Sequence, residues 1–246
     1  MKFIAHYSSS AGNLYEIVAA NGQRLLIDCG LTWAKMQKKL NYNLIGIEGL
    51  LLDHSHLDHS RCIEDVMEAG IDVYSSLPTF EALDVAGNRK ARIVGDKDRF
   101  AVGDTFEIFS FALQHDVPNL GFIVHDKSSD ENLLFVTDTS HVKQRFGLAF
   151  DIIALCCSYD VAVLREREAA GTIDPSLAKR LLTSHMSVET TKAYLRDCCC
   201  LYKCTEIWLL HMSGDNIDKE RVRLGVESEF FTRTIIAGKE NQNGRS

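Results

Sequence analysis

Six consecutive residues, His54-Ser55-His56-Leu57-Asp58-His59, place three imidazoles and a carboxylate directly after the apolar segment Leu50-Leu51-Leu52. Imidazole nitrogen and carboxylate oxygen are the ligands that zinc and similar divalent ions favour. A metal held this way commonly activates water for hydrolysis. Histidines sharing one helix face would need i, i+4 spacing, so this pattern predicts a loop cluster where a strand ends and a helix begins. A polar loop that merely contains histidine is the plainer reading, but it leaves four ligand-type side chains at this spacing without a reason.

One ion takes three or four protein ligands, so further donors must come from elsewhere in the chain. His115 follows a strand-like segment ending at Leu113, Asp138 follows one ending at Val136, and His211 follows one ending at Leu210. Each alone also reads as a hydrogen-bonded turn residue. Their shared position at strand exits, where the first cluster also lies, points to one composite site.

The elements that must position these residues are legible from periodicity and turn chemistry. Strands are predicted at Lys2 to His6, Asn13 to Ala19, Gln23 to Asp28, Glu48 to Leu52 and Ile71 to Tyr74, with Asn21-Gly22 as a hairpin turn. Helices are predicted at Leu31 to Leu40, Ser60 to Ala69 and Leu77 to Ala86, with Gly70 closing the second. The second half repeats the layout. Its strands are Phe106 to Gln114, Leu120 to His125, Asn132 to Thr137, Ile152 to Cys156, Glu206 to Leu210 and Phe230 to Ile236. Its helices are Pro175 to Leu182, Val188 to Cys198 and Ile217 to Glu227, and the charge-rich stretch Leu164 to Gly171 reads as a surface excursion. Two such halves, with no Pro- or Gly-rich linker between them, predict one domain over residues 1–237 built from two stacked sheets with outer helices. A disordered tail is expected at 238–246.

At 246 residues, with 46% hydrophobic and 25% charged, the chain can bury a sizeable core. No apolar run approaches a membrane span, and the start Met1 to His6 reads as a strand rather than a signal peptide, so a cytoplasmic location is expected. The net charge of −7 argues against indiscriminate nucleic-acid binding. Among the eight cysteines, Cys156-Cys157 and Cys198-Cys199-Cys200 are adjacent in sequence and Cys204 follows the second group. Neighbouring cysteines on a strand point to opposite faces, and no matched C-x-x-C pairs occur, so reduced thiols packed as small apolar residues are expected rather than a second metal or redox site.

The pattern His-x-His-x-Asp-His, followed by a lone His, a Thr-Asp and a late His, resembles the metallo-β-lactamase superfamily. Further segments are similar to its YycJ/WalJ-type branch: Ser8-Ser9-Ser10-Ala11-Gly12-Asn13, Asp28-Cys29-Gly30-Leu31, Thr137-Asp138-Thr139, Ser184-His185-Met186-Ser187 and Leu210-His211-Met212-Ser213-Gly214-Asp215-Asn216. The resemblance implies an α/β fold of four αββα layers with a two-metal centre at one edge, occupied by zinc or alternatively manganese. It assigns His54, His56 and His115 to one ion, Asp58, His59 and His211 to the other, and Asp138 as the bridge. Two cations about 3.5–4 Å apart stabilise both the attacking and leaving oxygens of a phosphodiester. Asp58 is then also the candidate base that orients or deprotonates the nucleophile. His185 is the candidate group beside the leaving oxygen, although it also reads as part of a helix-capping region.

Ser9, Ser10 and Asn13 are candidate contacts to substrate or to the metal loop, or else form the tight turn between two strands. Asp215 and Asn216 are candidate contacts just past His211. His6 and His125 read as structural, and His141 stays a weak candidate. Where the branch carries a Glu-Ser-Asn-His-Asp-like segment, this chain reads Cys156-Cys157-Ser158-Tyr159-Asp160, which puts the branch's substrate contacts in doubt. The resemblance implies a metal-dependent phosphodiesterase, first a 5′ exonuclease on DNA. The alternative is hydrolysis of a small phosphodiester such as a cyclic nucleotide, as in anti-Pycsar phosphodiesterases of phages. Phosphate contacts would come from Lys35, Lys38, Lys39, Arg165, Arg167, Lys179 or Arg180, each of which also reads as a solvated helix charge. A homodimer is an admitted assembly, and no membrane partner is expected.

Overall fold

The computed structural model describes residues 1–198 and 200–238. The first half runs β1 (Lys2–Ser9), β2 (Gly12–Val18), β3 (Arg24–Ile27), α1 (Trp33–Lys39), β4 (Ile47–Leu51), α2 (Leu57–Ser60), α3 (Ile63–Glu68), β5 (Val73–Ser75), α4 (Leu77–Ala82) and β6 (Ala91–Ile93). The second half runs β7 (Arg99–Val102), β8 (Phe106–Leu113), β9 (Asn119–Asp126), β10 (Glu131–Val136), β11 (Ile152–Cys156), α5 (Val161–Ala169), α6 (Pro175–Ser184), α7 (Val188–Cys198), β12 (Glu206–Leu210), α8 (Lys219–Phe230) and β13 (Arg233–Ile236).

Each half makes one mixed sheet. The six-stranded sheet is ordered β1-β2-β3-β4-β5-β6 and the seven-stranded sheet β13-β12-β11-β10-β9-β8-β7. In both, antiparallel hairpins pass into parallel strands: β3, β4 and β5 are parallel, as are β10, β11 and β12. Asn21-Gly22 turns the β2–β3 hairpin, with Gly22 at φ 86° and its amide donating to the Ala19 carbonyl at 3.0 Å.

The layers follow from strand alternation. Leu25, Ile27 and Leu51 face the other sheet and meet Phe122, Leu133, Phe135, Ile152 and Ala154. Their neighbours Leu26, Leu50 and Leu52 face outward onto Met36, Val66 and Phe80 of the first helical layer. Leu134, Val136, Ile153 and Leu155 likewise face the second layer, including Leu195, Val222 and Val226. Strands buried on both faces read as continuous apolar runs, which is why Leu50-Leu51-Leu52 carries no polar alternation. The result is a four-layer arrangement of helices, sheet, sheet and helices, as the sequence predicts.

Two local expectations are corrected. The stretch Leu164 to Gly171 is no excursion but most of α5. Asp160 Oδ1 caps that helix by accepting from the Ala162 amide at 2.8 Å, and Leu164 is buried against Tyr159, Ile173, Ala178 and Leu181. One apolar anchor in a charge-rich run is enough when a good N-cap precedes it. The helix expected over Ser60 to Ala69 is broken at Cys62, whose amide leaves the helical ladder to donate to the Cys29 carbonyl at 3.1 Å. The short strands β6 and β7 escape periodicity because three or four residues hold too little pattern. Cys199 and the tail residues 239–246 lie outside the described residues. Among the described residues, no helix is long and apolar enough to cross a membrane.

Candidate metal centre

Parallel pairing aligns the C-terminal ends of β10 and β12 on one edge of the second sheet, β8 ends there too, and the residues that follow β4 of the first sheet meet them. A loop carries His54 and His56 and the short helix α2 carries Asp58 and His59, so the expected loop cluster is in part helical, while Asp138, His211 and His115 follow their strands; the four strand exits predicted to cooperate do meet. His54 Nε2 lies 3.1 Å from His56 Nδ1, and His115 Nε2 lies 3.4 Å from the same atom. Nitrogens bound tetrahedrally to zinc at 2.0–2.1 Å would be ~3.3–3.4 Å apart. The three rings are therefore spaced as ligands of one ion.

Asp58, His59, Asp138 and His211 form a second group. His59 Nε2 is 3.6 Å from Asp58 Oδ2 and 3.1 Å from Asp138 Oδ2, while His211 Nε2 is 3.8 Å from Asp58 Oδ2 and 3.6 Å from Asp138 Oδ1. Asp138 Oδ2 also lies 3.9 Å from His54 Nε2, which places this carboxylate between the two groups. Buried His211 Nε2 has no hydrogen-bond partner among the described residues. A buried polar atom without a partner is costly, and a cation among these carboxylates and imidazoles removes that cost. The residues present fit divalent metal ions.

A supporting shell fixes these ligands. Asp53 Oδ1 faces His54 Nδ1 at 2.8 Å, and Asp28 Oδ2 faces His59 Nδ1 at 2.9 Å. Asn13 Nδ2 lies 2.9 Å from His59 Nε2 and donates to the Asp58 carbonyl at 3.1 Å. The Tyr15 hydroxyl donates to Asn13 Oδ1 at 3.0 Å and also contacts Ser8 Oγ at 2.8 Å, which accepts the His211 amide at 3.0 Å. Ser158 Oγ donates to the His211 carbonyl at 2.6 Å. Ser158 stands inside the segment Cys156 to Asp160, and it holds the candidate ligand His211. Asn119 Nδ2 donates to the Thr137 and Asp138 carbonyls at 3.1 and 2.8 Å.

Asp28, Asp138 and His211 each follow a strand and adopt φ of 63°, 45° and 56°. Left-handed backbone at non-glycine residues persists where surrounding contacts enforce it. Gly30 permits the closest approach: a Cβ there would lie 1.6 Å from the Asp58 carbonyl oxygen.

The electrostatics suit coordination. Burial alone would raise the pKa of Asp138, but the imidazoles of His211, His185 and His59 pull it well below the usual carboxylate range, so it stays ionised. Burial, joined by the neighbouring His54, pushes His115 down to about 4, which keeps its ring neutral. Burial also opposes charge on His59, yet Asp53, Asp28 and Asp138 raise its pKa well above the ordinary value. The donor set is thus strongly anionic on the second-group side.

A cavity of about 310 Å³ opens over that side, lined in part by Asp58, Asp138, His185, His211, Ser9 and Ser10. A larger depression of about 590 Å³ on the helix-side face of β8 and β9 contains none of the ligands, so donors rather than volume locate the site. His185 Nδ1 is buried without a hydrogen bond and faces Asp138 Oδ1 at 3.4 Å. Asn13 lies beneath the ligands rather than in the cavity. Asn216 reaches the cavity wall but accepts from Arg167 at 2.7 Å, and Asp215 is exposed and not part of the wall. Lys35, Lys38 and Lys39 on α1 do not line the cavity, whereas Arg180 does. His6 pairs with Glu16 Oε2 at 2.6 Å and His125 contacts Asn132 at 3.1 Å, both structural arrangements. The orienting carboxylates Asp28 and Asp53 carry no role of their own in the sequence reading, although Asp28 opens the segment Asp28 to Leu31 and Asp53 directly precedes His54. Buried Cys156 also approaches Asp138 and His185.

A sequence model of the Beta-lactamase superfamily domain matches residues 23–206. The chain belongs to the metallo-β-lactamase superfamily. The structure is similar to the metallo-β-lactamase fold protein YhfI from Bacillus subtilis, at TM-score 0.71 and 16% identity over 96% of this chain and 97% of that one. It is also similar to Zn²⁺-bound PqqB from Methylobacterium extorquens, at TM-score 0.68 and 13% identity over 97% and 98% of the two chains. At such identities the likeness is one of fold. A short segment of 49 residues is 43% identical to the anti-Pycsar protein Apyc1 of Paenibacillus xerothermodurans, and it spans only 20% of each chain.

Proposed function

We propose that this metallo-β-lactamase superfamily member is a divalent-metal-dependent phosphodiesterase acting on a small phosphodiester, a cyclic nucleotide being the type. The observation that carries the choice of substrate is the cavity over Asp58, Asp138 and His211, about 310 Å³ in volume and lined, among the described residues, by one Lys or Arg side chain, Arg180. That volume sits at the lower end of the ~300–1,000 Å³ of small-molecule sites. A nucleic-acid track needs a basic residue for each phosphate that it neutralises, and this wall offers one. The 43% identical segment shared with an anti-Pycsar protein agrees with the small substrate. A 5′ DNA exonuclease, the first expectation from sequence, has less support from this wall.

Two ions, with zinc first and manganese second, are the expected occupants of His54, His56 and His115 on one side and Asp58, His59 and His211 on the other, sharing Asp138. When bound they supply Lewis acidity, lowering the pKa of water and offsetting phosphoryl charge. The chain's own groups do the rest. Asp58 has its pKa lowered, because the neighbouring His211 imidazole and the charge of His59 outweigh its burial, so its carboxylate is ready to accept the proton of the attacking water. Asp138 facing Nδ1 orients the His185 ring, leaving Nε2 to deliver a proton to the departing oxygen. Ser9 and Ser10 line the same cavity and offer hydroxyls to the substrate.

The test uses protein loaded with Zn²⁺ or Mn²⁺ and offered cyclic nucleotides beside 5′-labelled DNA and RNA. Cleavage of the cyclic nucleotide to a nucleoside monophosphate, abolished by Asp58→Ala, is expected. Release of mononucleotides from DNA with inert cyclic nucleotides would replace this reading with the exonuclease. A His185→Ala protein that keeps its metals and loses turnover supports the proton-delivery role; full activity rejects it.

A further inference from the structure

We infer that Arg180 is the anion-binding residue of this pocket and sets its preference for phosphate groups, presented by a helical cap that is built separately from the metal centre. For its substrate the inference rests on the phosphodiesterase reading; for the binding of a phosphate anion it does not.

α5 and α6 pack around a small cluster of their own, in which Leu164 meets Ile173, Ala178 and Leu181, apart from the three clusters that bind helices and sheets together. Asp174 starts α6 by accepting from the Ser176 amide at 2.8 Å, and His185 ends it. Helical spacing then decides which side chains face the metal centre. Leu177, Arg180 and Leu181 stand at i, i+3 and i+4 and all line the cavity. The same helix therefore hands over His185 at its end and Arg180 little more than one turn earlier.

The other cations of the cap are committed or turned away. Arg167 donates to Asn216 Oδ1 at 2.7 Å and to the Thr172 carbonyl at 2.9 Å, and Arg165 and Lys179 are absent from the cavity wall. The Arg180 guanidinium makes no hydrogen bond or ion pair with any described residue. An unpaired surface arginine is ordinary by itself. Here it stands on the wall that also holds Asp58, Asp138 and His211, beside the apolar ledge of Leu177 and Leu181. A guanidinium is shaped to bind two phosphate oxygens at once, which an ammonium cannot do. The ligand class that fits is one phosphoryl group carrying a compact apolar or heterocyclic substituent. A phosphomonoester dianion gains more from the contact than a phosphodiester monoanion, so product is held more firmly than substrate.

The experiment compares wild type, Arg180→Ala and Arg180→Lys as full-length, metal-loaded proteins of equal metal content. Calorimetry with inorganic phosphate and with a nucleoside monophosphate reads binding without turnover. For Arg180→Ala, affinity for both is expected to fall roughly 10-fold to 100-fold, with partial recovery in Arg180→Lys. In hydrolysis, Arg180→Ala is expected to raise KM, leave kcat within about 3-fold and relieve inhibition by the monophosphate product. Phosphate affinity equal to wild type in Arg180→Ala, or no phosphate binding by wild type, overturns the inference. A wild type that binds phosphate through Arg180 but hydrolyses no phosphodiester overturns the proposed activity and leaves the anion site standing.

Discussion

Asp53 Oδ1 contacts His54 twice, facing its Nδ1 at 2.8 Å and accepting its backbone amide at 2.6 Å. A single carboxylate oxygen thus fixes the ring's rotation and its tautomer, with the proton on Nδ1 and the lone pair of Nε2 directed to His56 and His115. Burial would raise the Asp53 pKa, but His59 and His54 hold it well below the usual range, so the oxygen remains an acceptor.

Asp53→Asn keeps the shape and removes the charge. Partners of this kind are worth about 10–100-fold in metal affinity. Competition with a calibrated chelator is expected to show a loss in that range with the fold intact by circular dichroism. Unchanged affinity would show that His54 is oriented by packing alone.

The approach of Gly30 to Asp58 makes a second test. With a Cβ placed 1.6 Å from a carbonyl oxygen, Gly30→Ala must push apart the loop after β3 and the loop bearing the ligands. We expect a loss of about 1–3 kcal/mol, read by chemical denaturation, together with weakened metal uptake. An alanine variant as stable as wild type would contradict the contact.

Glu16 tests the sheet edge away from the metals. Burial raises its pKa, but the hydrogen bonds to His6 and Arg24 more than reverse this and leave it below the ordinary value. A depressed folded pKa contributes stability that is present above the unfolded pKa of about 4.3 and is lost as pH falls through the folded value. Glu16→Gln is therefore expected to cost roughly 2 kcal/mol at pH 7, and the gap between variant and wild type should close in strongly acidic solution. A gap independent of pH would assign the effect to shape.

Cys156 and Cys157 test the reading of the thiols. Burial pushes both up to about 12. Only thiolate alkylates readily. At pH 8 the native protein should leave both unlabelled by iodoacetamide in peptide mapping, while exposed Cys200 reacts, and denaturant should release them. Native labelling of Cys156 would mean that the floor of the site opens to solvent.

The candidate donors were legible in the sequence as a group because metal coordination demands particular side chains and because parallel strands end at one edge. His115, Asp138 and His211 each looked like an ordinary turn residue until that shared edge was considered. The orienting shell was legible only at Asn13, a candidate contact to the metal loop that donates to the Asp58 carbonyl. Asp28 and Asp53 reach His59 and His54 through contacts that depend on backbone geometry, and for Asp28 on a left-handed φ of 63° that aspartate does not announce. Of the seven basic candidates, only Arg180 reaches the cavity, since which face of a helix turns inward depends on what α6 packs against. Helix α5 was hidden by its charges for a related reason, a single buried leucine being too little pattern to read.

Neither sheet owns the donor set: His54, His56, Asp58 and His59 leave the first, and His115, Asp138 and His211 leave the second. During synthesis the last of these emerges only after β12, so a ribosome carrying the nascent chain presents an unfinished ligand sphere until then. The site is in this sense unfinished while the chain is being made, and its donor set is complete only when the two halves close on each other.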